Sequence, residues 1–163
     1  MNNNFIYKIK ENDGNYSNGF FCHIKYQNKN IPVIIINNHI IKDDAINVLI
    51  NNGIKKIKLG KIIFRDDEYN ISIIEIEKNI DYNINYLELD NNIYKNDSEL
   101  NYNKESIYII NYNDKNNIFI SYGVLKEINN KLIYTTNINS EYQFSPIFLF
   151  NSSKLFLLLL FKK

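Results

Sequence analysis

Ile31-Pro32-Val33-Ile34-Ile35-Ile36-Asn37-Asn38-His39 is the stretch of this sequence that decides the fold. A short, continuous run of β-branched residues that ends in polar residues is typical of a buried β-strand. The run therefore predicts a strand over Ile31 to Asn37 with a histidine just beyond its end. Because imidazole exchanges a proton near neutral pH, His39 is the first candidate for chemistry in the chain.

Similar apolar runs recur along the chain between polar turn clusters, and no window keeps an amphipathic helical period over several turns. We therefore predict an all-β protein. The residues from Asp43 to Leu49 fit either a short helix capped by an aspartate or a loop. The predicted strands are Phe20–Tyr26, Ile31–Asn37, Lys55–Phe64, Ile71–Ile76, Ser106–Tyr112, Ile118–Ile128, Lys131–Thr136, Ile147–Phe150 and Lys154–Phe161.

The length of 163 residues suits one compact domain, or two half-domains that share an interface. The stretch from Asp90 to Glu105 is polar and charged and lacks apolar periodicity, which is typical of a connection. We expect a first β-barrel over residues 15–90, a connection over 91–105 and a second β-barrel over 106–163, all within one domain.

Composition excludes several classes of function. With 19 Lys and Arg against 18 Asp and Glu, the chain lacks the basic field that draws a protein to nucleic acid. The single cysteine, Cys22, excludes an intramolecular disulfide and favours a reducing, intracellular (cytoplasmic) location. Met1 to Asn4 show no apolar signal-peptide core, and the run from Leu155 to Phe161 is far shorter than the roughly 20 residues of a membrane-spanning helix. No membrane association is expected.

The order of several segments resembles that of the trypsin-like serine proteases of the chymotrypsin fold, particularly intracellular forms without disulfides. The resemblance covers Gly19 to Phe161 and implies two antiparallel β-barrels of the trypsin type, the second shortened at its C-terminus. If the second barrel is shortened, its open edge is a candidate surface for self-association. The segments that carry the resemblance are Gly19–Ile24, Ile34–His39, Asn70–Glu75, Ser121–Val124 and Ser145–Ile147.

In that family a histidine acts as general base, an aspartate orients it, and a serine in a Gly-X-Ser-Gly-Gly/Ser-Pro loop attacks the carbonyl. The resemblance places His39 at the base and Asn70 at the orienting acid. The serine loop is anchored on Pro146. In this register Glu141 falls at the first glycine of the oxyanion hole, Tyr142 at the variable position, Gln143 at the nucleophile, Phe144 at the second glycine and Ser145 before the proline.

These replacements predict the loss of protease chemistry. A glutamine amide is not a nucleophile at neutral pH, so Gln143 cannot form an acyl-enzyme. Asn70 cannot stabilise an imidazolium as a carboxylate does, and Glu141 brings negative charge to the place where negative charge develops. We interpret the chain as an inactive pseudoprotease in which His39 is a relic and which acts by binding another protein.

Candidate contact residues for that partner are Tyr142, Phe144 and Ser145, since exposed aromatic side chains are favoured interface anchors. No cofactor is expected. No metal is expected either, because one cysteine and two histidines do not supply the ligands of a structural zinc site. A dyad of Cys22 and His23 is disfavoured, because neighbours in a strand point to opposite faces.

Three alternatives stay open. His39 could serve a non-proteolytic hydrolase, as in viral nucleases that cleave cyclic dinucleotides, which predicts an exposed His39 in a cleft lined by basic residues. Asp67 could orient His39 in place of Asn70. Ser140 or Ser145 could be the nucleophile if the anchoring on Pro146 is wrong, and a serine oxygen bonded to the His39 ring would contradict the inactive interpretation.

Overall fold

The structure is a computed structural model of the 163-residue chain, which divides into two compact units, residues 1–87 and 88–163. The residues that it describes are 6–11, 13–50, 53–68, 70–77, 84–87, 106–112, 118–128, 132–136, 147–149 and 155–156.

The first unit is a closed antiparallel barrel with the strand order β1-β2-β3-β6-β5-β4. Because each strand is paired on both sides, the barrel presents no free strand edge. A Cβ on Gly19 would clash with Ile9 and lie 2.7 Å from Ile36 Cγ2, so glycine lets β2 pass close to these side chains without displacing them. The strands are β1 (Ile6–Lys10), β2 (Tyr16–Tyr26), β3 (Lys29–Asn37), β4 (Ala45–Ile50), β5 (Gly53–Asp66) and β6 (Ile71–Ile76).

The interior of this barrel is filled by apolar side chains that alternate along the strands. Six of them are fully buried, namely Ile9, Phe21, Ile34, Ile36, Val48 and Ile74. In β3 the intervening residues Val33 and Ile35 are also fully buried. Burial on both faces explains why the sequence of β3 is a continuous apolar run rather than an alternating one.

The barrel contains two strands that the sequence did not predict. The stretch from Asp43 to Leu49 is neither a short helix nor a loop, since Ala45–Ile50 forms β4. Ile46, Val48 and Ile50 are buried in period-2 alternation between β1 and β5, and this pairing stabilises the strand. The other unpredicted strand, β1, lies before residue 15, where the first barrel was expected to begin.

The second unit is described as a five-stranded antiparallel sheet with the order β11-β10-β7-β8-β9. Ile107 and Ile109 are buried on one face of β7, and Tyr108 stacks on Phe148 with ring centroids 4.8 Å apart. The all-β prediction is confirmed, whereas the second barrel is seen only as this sheet over the described residues. The expected connection, 91–105, lies outside them. The strands are β7 (Ser106–Tyr112), β8 (Ile118–Ile128), β9 (Leu132–Thr136), β10 (Ile147–Leu149) and β11 (Leu155–Phe156).

Helical structure in the described residues consists of one 3₁₀ turn, Asn38–Ile40, which follows β3 directly. The turn places His39 at the end of the barrel. Nowhere in the described ranges is there a helix with the length and apolar character needed to cross a membrane.

Candidate functional site around His39

His39 lies at the end of β3 with 48% of its side chain exposed. The residue before it, Asn38, is buried and fixes the 3₁₀ turn to the neighbouring strands. The Asn38 amide donates to the Asp66 carbonyl and to Asp67 Oδ1, both at 2.8 Å, and its Oδ1 accepts a hydrogen bond from Ser72. Since every polar atom of the amide is bonded, the backbone that carries the histidine ring is held firmly against β5 and β6.

Asn70 lies on the Nδ1 side of the His39 ring. Its Nδ2 is 3.1 Å from His39 Nδ1, and its carbonyl accepts a hydrogen bond from the Asn38 backbone N–H at 3.2 Å. Asn70 has φ +56°, a left-handed conformation that asparagine tolerates better than most residues. The amide nitrogen of Asn70 can only donate, and a donor facing Nδ1 requires a lone pair there, so this arrangement favours the neutral tautomer with its hydrogen on Nε2.

A carboxylate and a hydroxyl lie on the Nε2 side of the ring. Glu11 Oε1 and Ser17 Oγ are each 3.5 Å from His39 Nε2, and the Ser17 hydroxyl donates to Glu11 Oε1. Only 15% of the Glu11 side chain is exposed. The carboxylate favours an N–H on the nitrogen that faces it, so both sides of the ring select the same tautomer.

Ser17 is a serine oxygen close to the histidine ring, the arrangement that would contradict an inactive site. Its distance of 3.5 Å from Nε2 exceeds the usual upper limit of about 3.2 Å for a hydrogen bond from nitrogen to oxygen. Its hydrogen also points to Glu11 and not to the ring. Ser17 is therefore not a nucleophile activated by His39 in this arrangement.

The β1–β2 hairpin brings Glu11 and Ser17 to the ring. Its turn contains Asp13 and Gly14, and Gly14 has φ +90°. The Glu11 backbone N–H donates to the Asn15 carbonyl at 2.8 Å, which closes the turn. This hairpin was not predicted from the sequence, although an Asp-Gly pair between two apolar segments is a strong hairpin signal.

Asp67, the alternative orienting residue, does not bond to His39 in the described part of the chain. Its carboxylate accepts hydrogen bonds from Arg65 Nε and Asn38 Nδ2, both at 2.8 Å. The hydrogen bond and the charge of Arg65 hold the pKa of Asp67 below its ordinary value. The residue that reaches Nδ1 of the ring is Asn70.

Cys22 and His23 point to opposite faces of β2. Cys22 is fully buried, and burial raises the pKa of its thiol to about 12. His23 is exposed and packs its ring on Tyr86, with centroids 4.4 Å apart. The two side chains therefore form no dyad. In the described ranges no three His, Cys, Asp or Glu side chains converge into a metal-binding group.

A cavity of about 360 Å³ opens beside His39. It is formed by the end of β1, the 3₁₀ turn, the segment before β4, the first half of β4 and the facing part of β5. The cavity was not predicted from the sequence, because its residues are spread over three strands. Its polar lining includes Lys10, Glu11, His39, Lys42, Asp43, Asp44, Asn47 and Lys56.

The serine-loop positions lie outside the described residues. They are Ser140, Glu141, Tyr142, Gln143, Phe144, Ser145 and Pro146.

Comparison with solved structures identifies the fold. The inactive form of the Rv3671c protease of M. tuberculosis is similar over 93% of this chain and 74% of its own, with a TM-score of 0.59 and 11% identity. A human pathogenic astrovirus serine protease is similar over 93% and 78%, with a TM-score of 0.57 and 14% identity. This chain has the fold of the trypsin-like serine proteases. The MamO protease domain from Magnetospirillum magneticum shares it over 93% and 80%, with a TM-score of 0.52 and 10% identity.

The resemblance inferred from the sequence is thus confirmed at the level of the fold. No protein-family model matches the chain, and no curated protein matches it by sequence. Within a trypsin-like fold, a histidine that follows β3 and an asparagine that precedes β6 meet at the end of the first barrel.

Proposed function

We propose that this protein is a catalytically inactive member of the trypsin-like fold that acts by binding another protein. The observation that carries the proposal is the contact of 3.1 Å between Asn70 Nδ2 and His39 Nδ1. On this proposal Asn70 occupies the position at which a protease of this fold has the carboxylate that orients its histidine.

Peptide hydrolysis needs a lone pair on His39 Nε2 to accept the proton of the nucleophile. With Asn70 donating to Nδ1 and Glu11 facing Nε2, the lone pair is on the wrong nitrogen. The corresponding change from aspartate to asparagine in a trypsin-like protease costs about four orders of magnitude in kcat because it stabilises the wrong tautomer.

The sequence of the serine loop supports the same proposal. Gln143 provides no nucleophile, and Glu141 replaces a glycine of the oxyanion hole. On this proposal the segment of Tyr142, Phe144 and Ser145 contributes to the surface for the partner, and the second unit completes a second barrel. The single cysteine supports action in a reducing, intracellular compartment.

A serine-directed fluorophosphonate probe on the full chain tests the absence of catalysis. We expect no stoichiometric labelling of the native protein, with an active trypsin-like protease as the positive control. Stoichiometric labelling that is lost in Ser145→Ala or Ser140→Ala would overturn the proposal. Ser17→Ala is the matched control for the hydroxyl that lies near the ring.

A photo-crosslinking amino acid tests the binding surface. When this amino acid replaces Tyr142, irradiation of cells of the organism that makes the protein should give one discrete crosslinked adduct with another protein. At position 29, at the far end of β3, the same group should give none. Equal crosslinking from both positions would argue against a defined surface around Tyr142.

One observation favours a second candidate, a hydrolase that uses His39 on a phosphodiester. His39 is 48% exposed and lines a cavity together with Lys10 and Lys56. Turnover of a cyclic dinucleotide that disappears in His39→Ala would establish this function. The Glu11 carboxylate, 3.5 Å from Nε2, disfavours it, because it would repel a phosphodiester that came close enough to react with that nitrogen.

A further inference from the structure

Two lysines and an asparagine form a row on the outer face of the first barrel. In the antiparallel register Lys10 pairs with Asn47 across β1 and β4, and Asn47 pairs with Lys56 across β4 and β5. Directly paired residues of antiparallel strands point to the same face. The Cα atoms of the two lysines are therefore two strand spacings apart, about 10 Å, with the amide between them.

All three side chains line the cavity of about 360 Å³ beside His39. That volume falls within the range of roughly 300 to 1,000 Å³ typical of small-molecule sites. Lysine carries its ammonium group on a flexible four-carbon stem, so both ammonium groups can reach one anion above Asn47.

Two of the acids on the lining are already engaged. Glu11 accepts the hydrogen bond of the Ser17 hydroxyl. Asp44 lies close to Lys58: the hydrogen bond and charge of Glu77, together with the charge of Asp44, raise the pKa of Lys58. The Lys58 ammonium also pairs with Glu77 at 2.8 Å. The neutral hydroxyl does not offset the charge of Glu11, and Lys58 offsets the charge of Asp44 only in part, because it also pairs with Glu77.

The three lysines of the lining differ in whether an acidic side chain lies close to their ammonium group. Lys42 lies near Asp13, whose pKa is lowered by hydrogen bonds from Asn15 and further by the charge of Lys42. Within the described residues, the ammonium groups of Lys10 and Lys56 have no ion-pair partner. The lining as a whole carries three lysines and three carboxylates. The case for an anion site therefore rests on the placement of Lys10 and Lys56 on either side of Asn47, and not on an excess of positive charge.

We propose that Lys10, Asn47 and Lys56 form a binding site for the phosphate group of a small molecule. Two ammonium groups match the charge of a phosphate dianion, and the amide N–H of Asn47 supplies a third donor to its oxygens. The rest of the cavity, toward His39, accommodates the body to which the phosphate is attached. The site is independent of the absence of peptidase activity.

A chemical-shift titration of the full ¹⁵N-labelled chain tests this site. Inorganic phosphate at constant ionic strength should give saturable shifts at the side-chain amide of Asn47. Lys10→Gln and Lys56→Gln should each weaken binding about fivefold, and the double variant should weaken it by more than about tenfold, as expected for charge-assisted hydrogen bonds. Lys29→Gln removes the same charge about 27 Å away along β3 and should leave binding unchanged.

Adenosine monophosphate and acetate serve as comparison ligands. Tighter binding of the nucleotide than of phosphate identifies a phosphorylated small molecule as the ligand, and equal binding identifies phosphate itself. Either result supports the site. Absence of saturable shifts, equal weakening by Lys29→Gln, or acetate binding as tight as phosphate binding would overturn it. The fluorophosphonate result does not depend on any of these outcomes.

Discussion

The interior of the first barrel is apolar, whereas the rim formed by its strand ends around His39 is polar. The interior is a continuous set of buried apolar side chains from all six strands, including Phe21, Ile34 and Ile74. The rim, at the end of the barrel, carries the polar residues Glu11, His39 and Asn70. Asn70 lies within hydrogen-bonding distance of the His39 ring, and the Glu11 carboxylate faces its other side at 3.5 Å. Because the fold depends on the interior, the rim can exchange a carboxylate for an amide while the barrel persists.

The rim also differs between the two sides of the His39 ring. In a trypsin-like protease the carboxylate faces Nδ1 and a hydroxyl faces Nε2. Here an amide faces Nδ1, and the carboxylate of Glu11 lies on the Nε2 side, which it shares with the Ser17 hydroxyl. Compared with such a protease, the carboxylate therefore lies on the opposite side of the ring. This arrangement favours the neutral tautomer that carries its hydrogen on Nε2.

The largest expected effect is on the interior. Phe21→Ala should lower the free energy of unfolding of the first unit by about 3–5 kcal/mol, since it removes a fully buried ring. Phe64→Ala is the matched control at a side chain that is 44% exposed, and we expect less than about 1 kcal/mol there. Urea denaturation measures both. Similar losses in the two variants would show that interior and rim do not differ in this way.

The next largest expected loss of stability concerns Asn38, whose buried side-chain amide links the 3₁₀ turn at the rim to β5 and β6. Asn38→Ala should lower the free energy of unfolding by about 1–3 kcal/mol, because it removes the buried amide that bonds to the Ser72 hydroxyl and to the Asp66 carbonyl. Asn30→Ala, an exposed change in the same strand region, is the control. A loss in Asn38→Ala no larger than in Asn30→Ala would contradict the anchoring role of Asn38.

Alkaline pH should reveal the buried thiol of Cys22. Its pKa is raised to about 12 in the folded state, against about 8.5 in an unfolded chain. The thiol form is therefore favoured by folding: its contribution is complete below about pH 8.5 and is lost as pH rises toward 12. Between pH 9 and 10 this adds a slope of up to about 1.4 kcal/mol per pH unit.

Cys22→Ala should reduce that slope, as measured by urea unfolding at several pH values. Tyr7 and Tyr86, whose pKa values burial also raises, will retain part of the decline above pH 10. In the native wild type the thiol should also resist a disulfide reagent at pH 8. An unchanged slope in the variant, or rapid labelling of the folded protein, would contradict the burial of Cys22.

The smallest expected effect on stability comes from a change at Asn70. The same change tests the rim most directly, because it alters which nitrogen of the His39 ring carries a hydrogen. Nitrogen NMR of the wild type should show the hydrogen on Nε2. Asn70→Asp should place a hydrogen on Nδ1, because a carboxylate accepts where the amide donates, while Glu11 continues to favour a hydrogen on Nε2. The change in stability should stay below about 1 kcal/mol.

Asn70→Gly is the control for the left-handed backbone at this position, since glycine keeps the conformation and removes only the amide. A wild-type ring that already carries its hydrogen on Nδ1 would remove the main support for an inactive site.

The strands predicted correctly from the sequence are those whose local residue pattern by itself favours a strand. The ends of β6, β7 and β8 were predicted to the residue, because each strand is rich in β-branched and aromatic residues and lies between polar segments. The prediction of β4 failed: Asp43 and Asp44 resemble a helix cap, and only pairing with β1 and β5 selects the strand. The position of Asn70 followed from its place before β6, which fixes its distance from β3 through register.

The residue types alone determined that this is an all-β chain with a histidine at a strand end and an amide where a carboxylate was expected. Only the tertiary structure decided what faces the other side of that ring. Glu11 and Ser17 reach His39 because β1 closes the barrel between β2 and β4. Closure of the barrel brings together residues from strands that are distant in the sequence. The local pattern of apolar and polar residues does not specify which strands will pair.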